Sequence, residues 1–239
     1  MRKYVIASKQ FLNQLLKDAM LFICLIAPVL ASILLHFAVP IAEKELTLYF
    51  HKQSVLGDYY ILFDLLIALI APMMSGFVSA MVMLSERDDK IISYMVITPL
   101  GGNGYLFSRV LLPAIVSFIY SVILLNIFSL TKLKGTDILL MALFQALLGI
   151  MIALIMTDIS TNRVEGMAIG KLSGIIAIGM FIPFAITTKV QYLGGFLPGF
   201  WYGKYIQDGR GIYLVIGFIF MALWIFLLLK RFLKKSFQS

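Results

Sequence analysis

The chain has 239 residues, 61% of them apolar and 13% charged, with 20 lysines and arginines against 12 acids and a net charge of +8. A mean hydropathy of +0.97 excludes an ordinary soluble domain. With no compact basic domain to carry it, the charge speaks for membrane topology and lipid headgroups, and against nucleic acid as a partner.

The opening stretch YVIASKQFLNQLLKDAM, residues 4–20, sets Val5, Phe11, Leu12, Leu15 and Leu16 near one helical face and Lys9, Gln10, Asn13 and Lys17 nearer the other. This reads either as an amphipathic helix in the headgroup layer or as a charged flank that fixes topology. The apolar run behind it is about twice the 7–15 residues of a signal-peptide core, so it is expected to remain as a span. The lone Cys24 lies inside that run and rules out an intrachain disulfide.

A helix needs roughly 20 mostly apolar residues to cross the hydrocarbon, because there every backbone N–H and C=O must be bonded internally. Six stretches qualify, at about 19–42, 59–84, 105–130, 138–157, 168–187 and 211–229. The expected class is therefore an all-α polytopic membrane protein. Under this reading one side holds 13 of the 20 basic residues and the other 7, which predicts that both termini are cytoplasmic. Asp64, several residues into span two, would cost roughly 2.5–3.5 kcal/mol if ionised at a helix centre, and less near the end. It is expected to line a wet cavity, pair with a lysine, or snorkel outward. Ser75, Gly76, Ser79 and Ala80 in the same span form overlapping small-xxx-small pairs.

Between spans two and three stands SERDDKIISYMVITPLGGNGYLFSR, in which Glu86 to Lys90 are all charged. Ser85 and Asp88 are placed for a capping box, and Glu86, Asp88 and Asp89 suit a helix N-terminus. Pro99 would stop the helix and GGNG would reverse the chain. A short amphipathic helix over 86–97 is expected, either docked to something or adsorbed on the membrane face.

The next internal loop, TDISTNRVEGMAIGK, gathers Asp158, Asn162, Arg163 and Glu165. It is not a P-loop, since Glu165 stands where the first glycine belongs and Leu172 where the hydroxyl belongs. Gly166, Gly170 and Gly174 instead recur at the small-xxx-small spacing and predict a packing seam, within one subunit or between two. His36, Asn126 and Gln145 are isolated polar residues in spans, for which interhelical hydrogen bonds suffice. The last external loop, about 188–210, is rich in Tyr192, Phe196, Phe200, Trp201, Tyr202 and Tyr205 and broken by glycines and Pro198. It reads as an interfacial aromatic belt or as a hairpin.

The island, the stretch NRVEGMAIGKLSG and the second-span stretch PMMSGFVSAMVML together resemble the small ABC-2 type permeases, in the same six-span order. Lys90-Ile91 departs from the Gly-Thr of many relatives and bears on the subgroup. The resemblance implies the membrane subunit of an ATP-binding cassette exporter, not itself an enzyme, in the plasma membrane. ATP and Mg would sit on a separate ATPase subunit, with no cofactor or metal in this chain. It also implies that 1–18 is an elbow helix, that 86–97 is a coupling helix presenting Glu86, Arg87, Ile91, Ile92, Tyr94 and Met95 to the ATPase, and that 188–210 is a re-entrant hairpin. Asn162, Arg163 and Glu165 would belong to the second internal loop, which leads into span five. Asp64, Ser75, Ser79, Gly170 and Gly174 become candidates for the pathway or for the seam of a homodimer or heterodimer. In this family spans two and five line the pathway and spans one and five help form the dimer contact.

Two other classes compete. An ion-coupled carrier acting alone would lean on Asp64 and show an internal repeat of spans. An intramembrane enzyme would need clustered catalytic groups, yet His36 and His51 have no acidic neighbour at metal-ligand spacing. The apolar spans favour an amphipathic or lipid-like solute, such as a drug, a peptide or a lipid.

Overall fold

The computed structural model describes residues 2–97 and 101–237, and among them there is no strand. Helix α1 (Arg2–Lys17) leads into α2 (Ala19–Phe50), α3 (Tyr60–Asp88) and the short α4 (Ile91–Ile97). After them come α5 (Gly101–Phe128), α6 (Gly135–Ile159) and α7 (Arg163–Ala185). A 3₁₀ segment (Lys189–Phe196) and α8 (Pro198–Asp208) precede α9 (Gly211–Phe237). Six helices, α2, α3, α5, α6, α7 and α9, are long and apolar enough to cross a membrane, and they make the chain a multi-pass membrane protein.

Helices α3 and α6 form the centre, with 50% and 67% of their most apolar windows buried, against 17% for both α2 and α9. Their crossing is tight because both contribute glycine at the contact. A Cβ on Gly76 would lie 2.3 Å from the Gly149 carbonyl oxygen, and one on Gly149 would lie 2.6 Å from the Pro72 carbonyl oxygen. Pro72 has no N–H to give the Ala68 carbonyl one turn earlier. Ser121 of α5 donates to that carbonyl instead, at 2.9 Å, so the proline is accommodated by its neighbour.

The boundaries depart from sequence expectation at the charged island. Residues 85–88 do not open a new helix but continue α3, whose end comes at Asp89 and at Lys90 with φ 57°. The separate helix is only Ile91–Ile97. Ser85 is therefore no N-cap. GGNG is not a reversal either, since Gly101 at φ 66° starts α5 and the rest is helical. The expected stop at Pro99 lies outside the described residues. Within α5 a π-helical turn spans Phe107–Leu111, just before Pro113, and carries Arg109.

The 186–208 segment folds back into the bundle. Tyr202 stacks on Phe144 of α6 at 4.5 Å, and Phe144 stands nine residues, about 13 Å of helix rise, inside α6. A Cβ on Gly203 would lie 2.0 Å from the Met180 carbonyl oxygen, so glycine is needed for that approach.

Candidate functional site

The end of the bundle that carries both termini is held by charged groups contributed from six helices. Arg109 and Glu86 are each only 1% exposed. Arg109 Nε donates to both Glu86 carboxylate oxygens at 3.1 Å, and Nη1 donates to the Ala7 carbonyl oxygen at 2.8 Å and to Ser108 Oγ at 3.3 Å. The rings of Phe11 and Tyr105 flank the guanidinium at 5.7 and 5.8 Å. A buried pair of this kind is tolerable only when its remaining donors are also satisfied, and here α1 supplies one of the acceptors. The π turn in α5 is the stretch that carries Arg109 to this junction.

Arg87 is half-buried, and its Nη1 donates to the Thr157 and Ser160 carbonyl oxygens at 2.9 Å each. A cation there answers the C-terminal end of α6. Asp88 accepts from the Arg163 backbone N–H at 3.0 Å, at the start of α7. Asp18 caps α2 by accepting from the Met20 and Leu21 N–H groups and also forms an ion pair with Arg163. The Arg163 hydrogen bond, helped by those two N–H groups and opposed by partial burial, holds the Asp18 carboxyl below its ordinary pKa of 3.8. Asp158 pairs with Arg231 of α9 at 3.0 Å.

These contacts redistribute the residues expected to meet a partner. Glu86 and Arg87 are spent inside the chain, as helix-to-helix ties. Asn162 and Glu165 act locally, with Asn162 Oδ1 accepting from the Glu165 N–H at 2.9 Å and Glu165 accepting from the Thr161 N–H at 2.6 Å, a reciprocal cap on α7. What faces outward at this end is α4: Tyr94 is 68% exposed, Ile91 and Met95 are half-buried, and Ile92 is buried. This helix packs on α3, α5 and α9.

Helix α1 buries Ala7, Phe11 and Leu15 against the bundle but leaves Ile6, Leu12 and Leu16 more than half or about half exposed. Its apolar surface is thus split between two jobs that the sequence pattern merged into one face. The side chain of Val5 lies outside the described residues.

Asp64 neither snorkels nor opens to a cavity. It is fully buried, accepting from the Leu130 and Thr131 N–H groups at 2.7 and 3.0 Å and from the Thr131 hydroxyl, and so fastens the loop between α5 and α6. Ser75 donates to the Pro113 carbonyl oxygen at 3.0 Å, and Ser79 is 1% exposed in the packed seam of α3. The α7 glycines also meet α3: a Cβ on Gly166 would approach Leu84 to 2.3 Å, one on Gly170 would approach Phe77 to 2.5 Å, and one on Gly174 would find Met73 at 3.7 Å. The stripe is therefore an intrachain contact of spans two and five. His36 Nδ1 lies 3.0 Å from the Phe128 carbonyl oxygen, and among the described residues no group of three or more His, Cys, Asp or Glu could hold a metal.

One open groove lies where α2, α3 and α7 diverge. It has a volume of about 340 Å³ and is lined by Met20, Cys24, Met73, Phe77, Lys171 and Ser173, among others. Flexible thioethers and one ring give it an adaptable apolar wall.

Arg109 is the residue that sequence reading passed over, counting it only toward topology. The signal was present, since an arginine within the third apolar stretch requires a buried partner.

No curated protein and no solved structure matches the chain. A family model described as "Fluoroquinolones export permease protein Rv2686c-like" matches residues 11–229, nearly its whole length. With six candidate spans in the order described, the chain belongs to the Rv2686c-like fluoroquinolone export permease family, a family of ABC-2 type permeases.

Proposed function

We propose that this chain is the membrane subunit of an ATP-binding cassette exporter, driven by a separate ATPase subunit that binds ATP and Mg and docks on α4 from the cytoplasm. The observation that carries the reading is the posture of α4. Tyr94 stands out from the bundle while Ile92 anchors the helix among α3, α5 and α9, so a force on the exposed side passes to three spans at once. Glu86, Arg87 and Arg163 contribute by stiffening the platform beneath α4. The docking surface itself is Tyr94 with the exposed charges of Asp89 and Lys90 and the edges of Ile91 and Met95. The excess of basic residues on this side supports a cytoplasmic placement of both termini in the plasma membrane.

The cargo we infer is amphipathic and largely apolar, a fluoroquinolone-like drug being the example the family description offers. The methionine-lined groove of α2, α3 and α7 is the part of this chain best suited to it, completed by the same groove of a second permease copy or of a homologous one. Exposed Leu172, Ile175 and Ile178 on α7 supply an apolar face for that dimer contact.

The docking reading is tested by pulling down the tagged permease from membranes with its ATPase. Asp89→Lys combined with Tyr94→Glu changes only exposed side chains, so insertion should be normal while ATPase recovery falls at least tenfold. Undiminished recovery would remove α4 as the docking surface.

A further inference from the structure

On the other flank of α7 a second cleft runs between α6, α7 and α9, with a volume of about 370 Å³. Its inner end is closed by Phe196 and Leu197 of the inward-folded segment, where the Phe196 ring meets Trp224 edge-on at 5.0 Å and the Trp224 indole N–H donates to the Phe196 carbonyl oxygen at 3.3 Å. Its walls are apolar, with Ile155, Ile176 and Leu228 facing one another. Its mouth, at the end of the bundle carrying both termini, holds Asp158 and Arg231. Seven residues of α9, about 10 Å of rise, separate Trp224 from Arg231.

The two ends of this cleft ask for different chemistry. An apolar slot that opens toward hydrocarbon is filled by an acyl chain, because an empty one forfeits dispersion contacts along its whole lining. At the mouth the two charges differ in standing. The Asp158 side chain is 7% exposed, whereas that of Arg231 is 72% exposed and uses Nε for the bond to Asp158. Nε carries that ion pair, so the terminal nitrogens of this largely exposed guanidinium offer a phosphate the fork of N–H donors that binds it in bidentate fashion. Beside it, a carboxylate oxygen accepts hydrogen bonds from a primary ammonium. A phosphate and a primary ammonium joined by a two-carbon link are the headgroup of phosphatidylethanolamine.

We propose that this cleft binds one phosphatidylethanolamine molecule from the leaflet on the side of the termini, its phosphate on Arg231, its ammonium on Asp158 and one acyl chain under Phe196 and Trp224. The lipid bridges α6 to α9, a helix with little buried surface of its own. The proposal rests on the chain spanning a bilayer but not on the ATPase, so either reading can fail without the other.

The permease, purified in detergent and stripped of lipid, is titrated with phosphatidylethanolamine, phosphatidylcholine or phosphatidylglycerol, and retained lipid is counted by native mass spectrometry. One phosphatidylethanolamine per chain is expected, held at least tenfold more tightly than phosphatidylcholine, whose quaternary ammonium has no N–H to donate, or phosphatidylglycerol, which has no cation for Asp158. Arg231→Gln, checked for a monodisperse profile because it removes the partner of the largely buried Asp158, is expected to weaken retention at least tenfold, as are Asp158→Asn and the slot-filling Ile176→Phe. Equal retention of the three lipids would overturn the proposal. So would a preference for phosphatidylglycerol, or undiminished binding by Arg231→Gln or by a monodisperse Ile176→Phe protein.

Discussion

Glu86 and Arg109 test how charge is used in this chain. If the pair ties α3 to α5 and α1, then Glu86→Gln leaves a buried guanidinium without its counter-charge, which costs about 3–5 kcal/mol. The thermal midpoint in detergent should drop sharply, whereas Asp89→Asn, an exposed change, should leave it within a degree or two. A Glu86→Gln/Arg109→Met double variant should recover part of the loss, since replacing both charges removes the uncompensated one. Asp18 gives a pH signature. Its folded pKa is depressed, so its contribution is complete above the unfolded value near 3.8 and is lost as pH falls through and below that value toward the folded one. Wild type should therefore lose more stability than Asp18→Asn between pH 5 and pH 3, as followed by thermal melts. Such roles were hidden in the sequence for a physical reason. A charged run at the end of an apolar stretch reads as solvated, and nothing local tells that Glu86 will meet an arginine 23 residues later or that Arg87 will answer the end of α6.

At the scale of helices, close approach decides which glycines matter. Gly76→Ala would push a methyl to 2.3 Å from backbone, which cannot move aside, whereas Gly174→Ala would meet only the end of Met73 at 3.7 Å. The first should cost about 1–3 kcal/mol as overpacking, with reduced yield of monodisperse protein, and the second should be close to neutral. If a dimer forms on α7, its contact lies on the outward face, since Ser173 is buried within the chain. In a Cys24→Ser background, Ile175→Cys or Leu172→Cys should crosslink between subunits and Ser173→Cys should not. Absence of crosslinks all along the outward face would place the dimer contact elsewhere. The long helices were readable from hydrophobic length alone, because the bilayer leaves an apolar run of that size few other folds. The short ones were less so. Where α3 ends and α4 begins depends on a left-handed Lys90, and no local propensity in ERDDK announces it. The inward fold of 186–208 was legible only as alternatives, because belt and hairpin share the same aromatics and glycines.

For the whole molecule, the six-span architecture and the family follow from the sequence, while the functional surface does not. The fold draws most of the expected contact residues into its own joints and leaves open α4, the groove of α2, α3 and α7, and the outward face of α7, the surfaces on which the proposed partners and cargo would act. Under the proposed function, the chain moves solute only when a separate ATPase drives it. Inside-out membrane vesicles containing the permease, with or without its co-purifying ATPase, would be given a fluoroquinolone and ATP-Mg, and accumulated drug would be measured. ATP-dependent accumulation is predicted only when both subunits are present, with no response to an imposed proton or sodium gradient. Gradient-driven accumulation by the permease alone would contradict the account and favour the ion-coupled carrier that leans on Asp64.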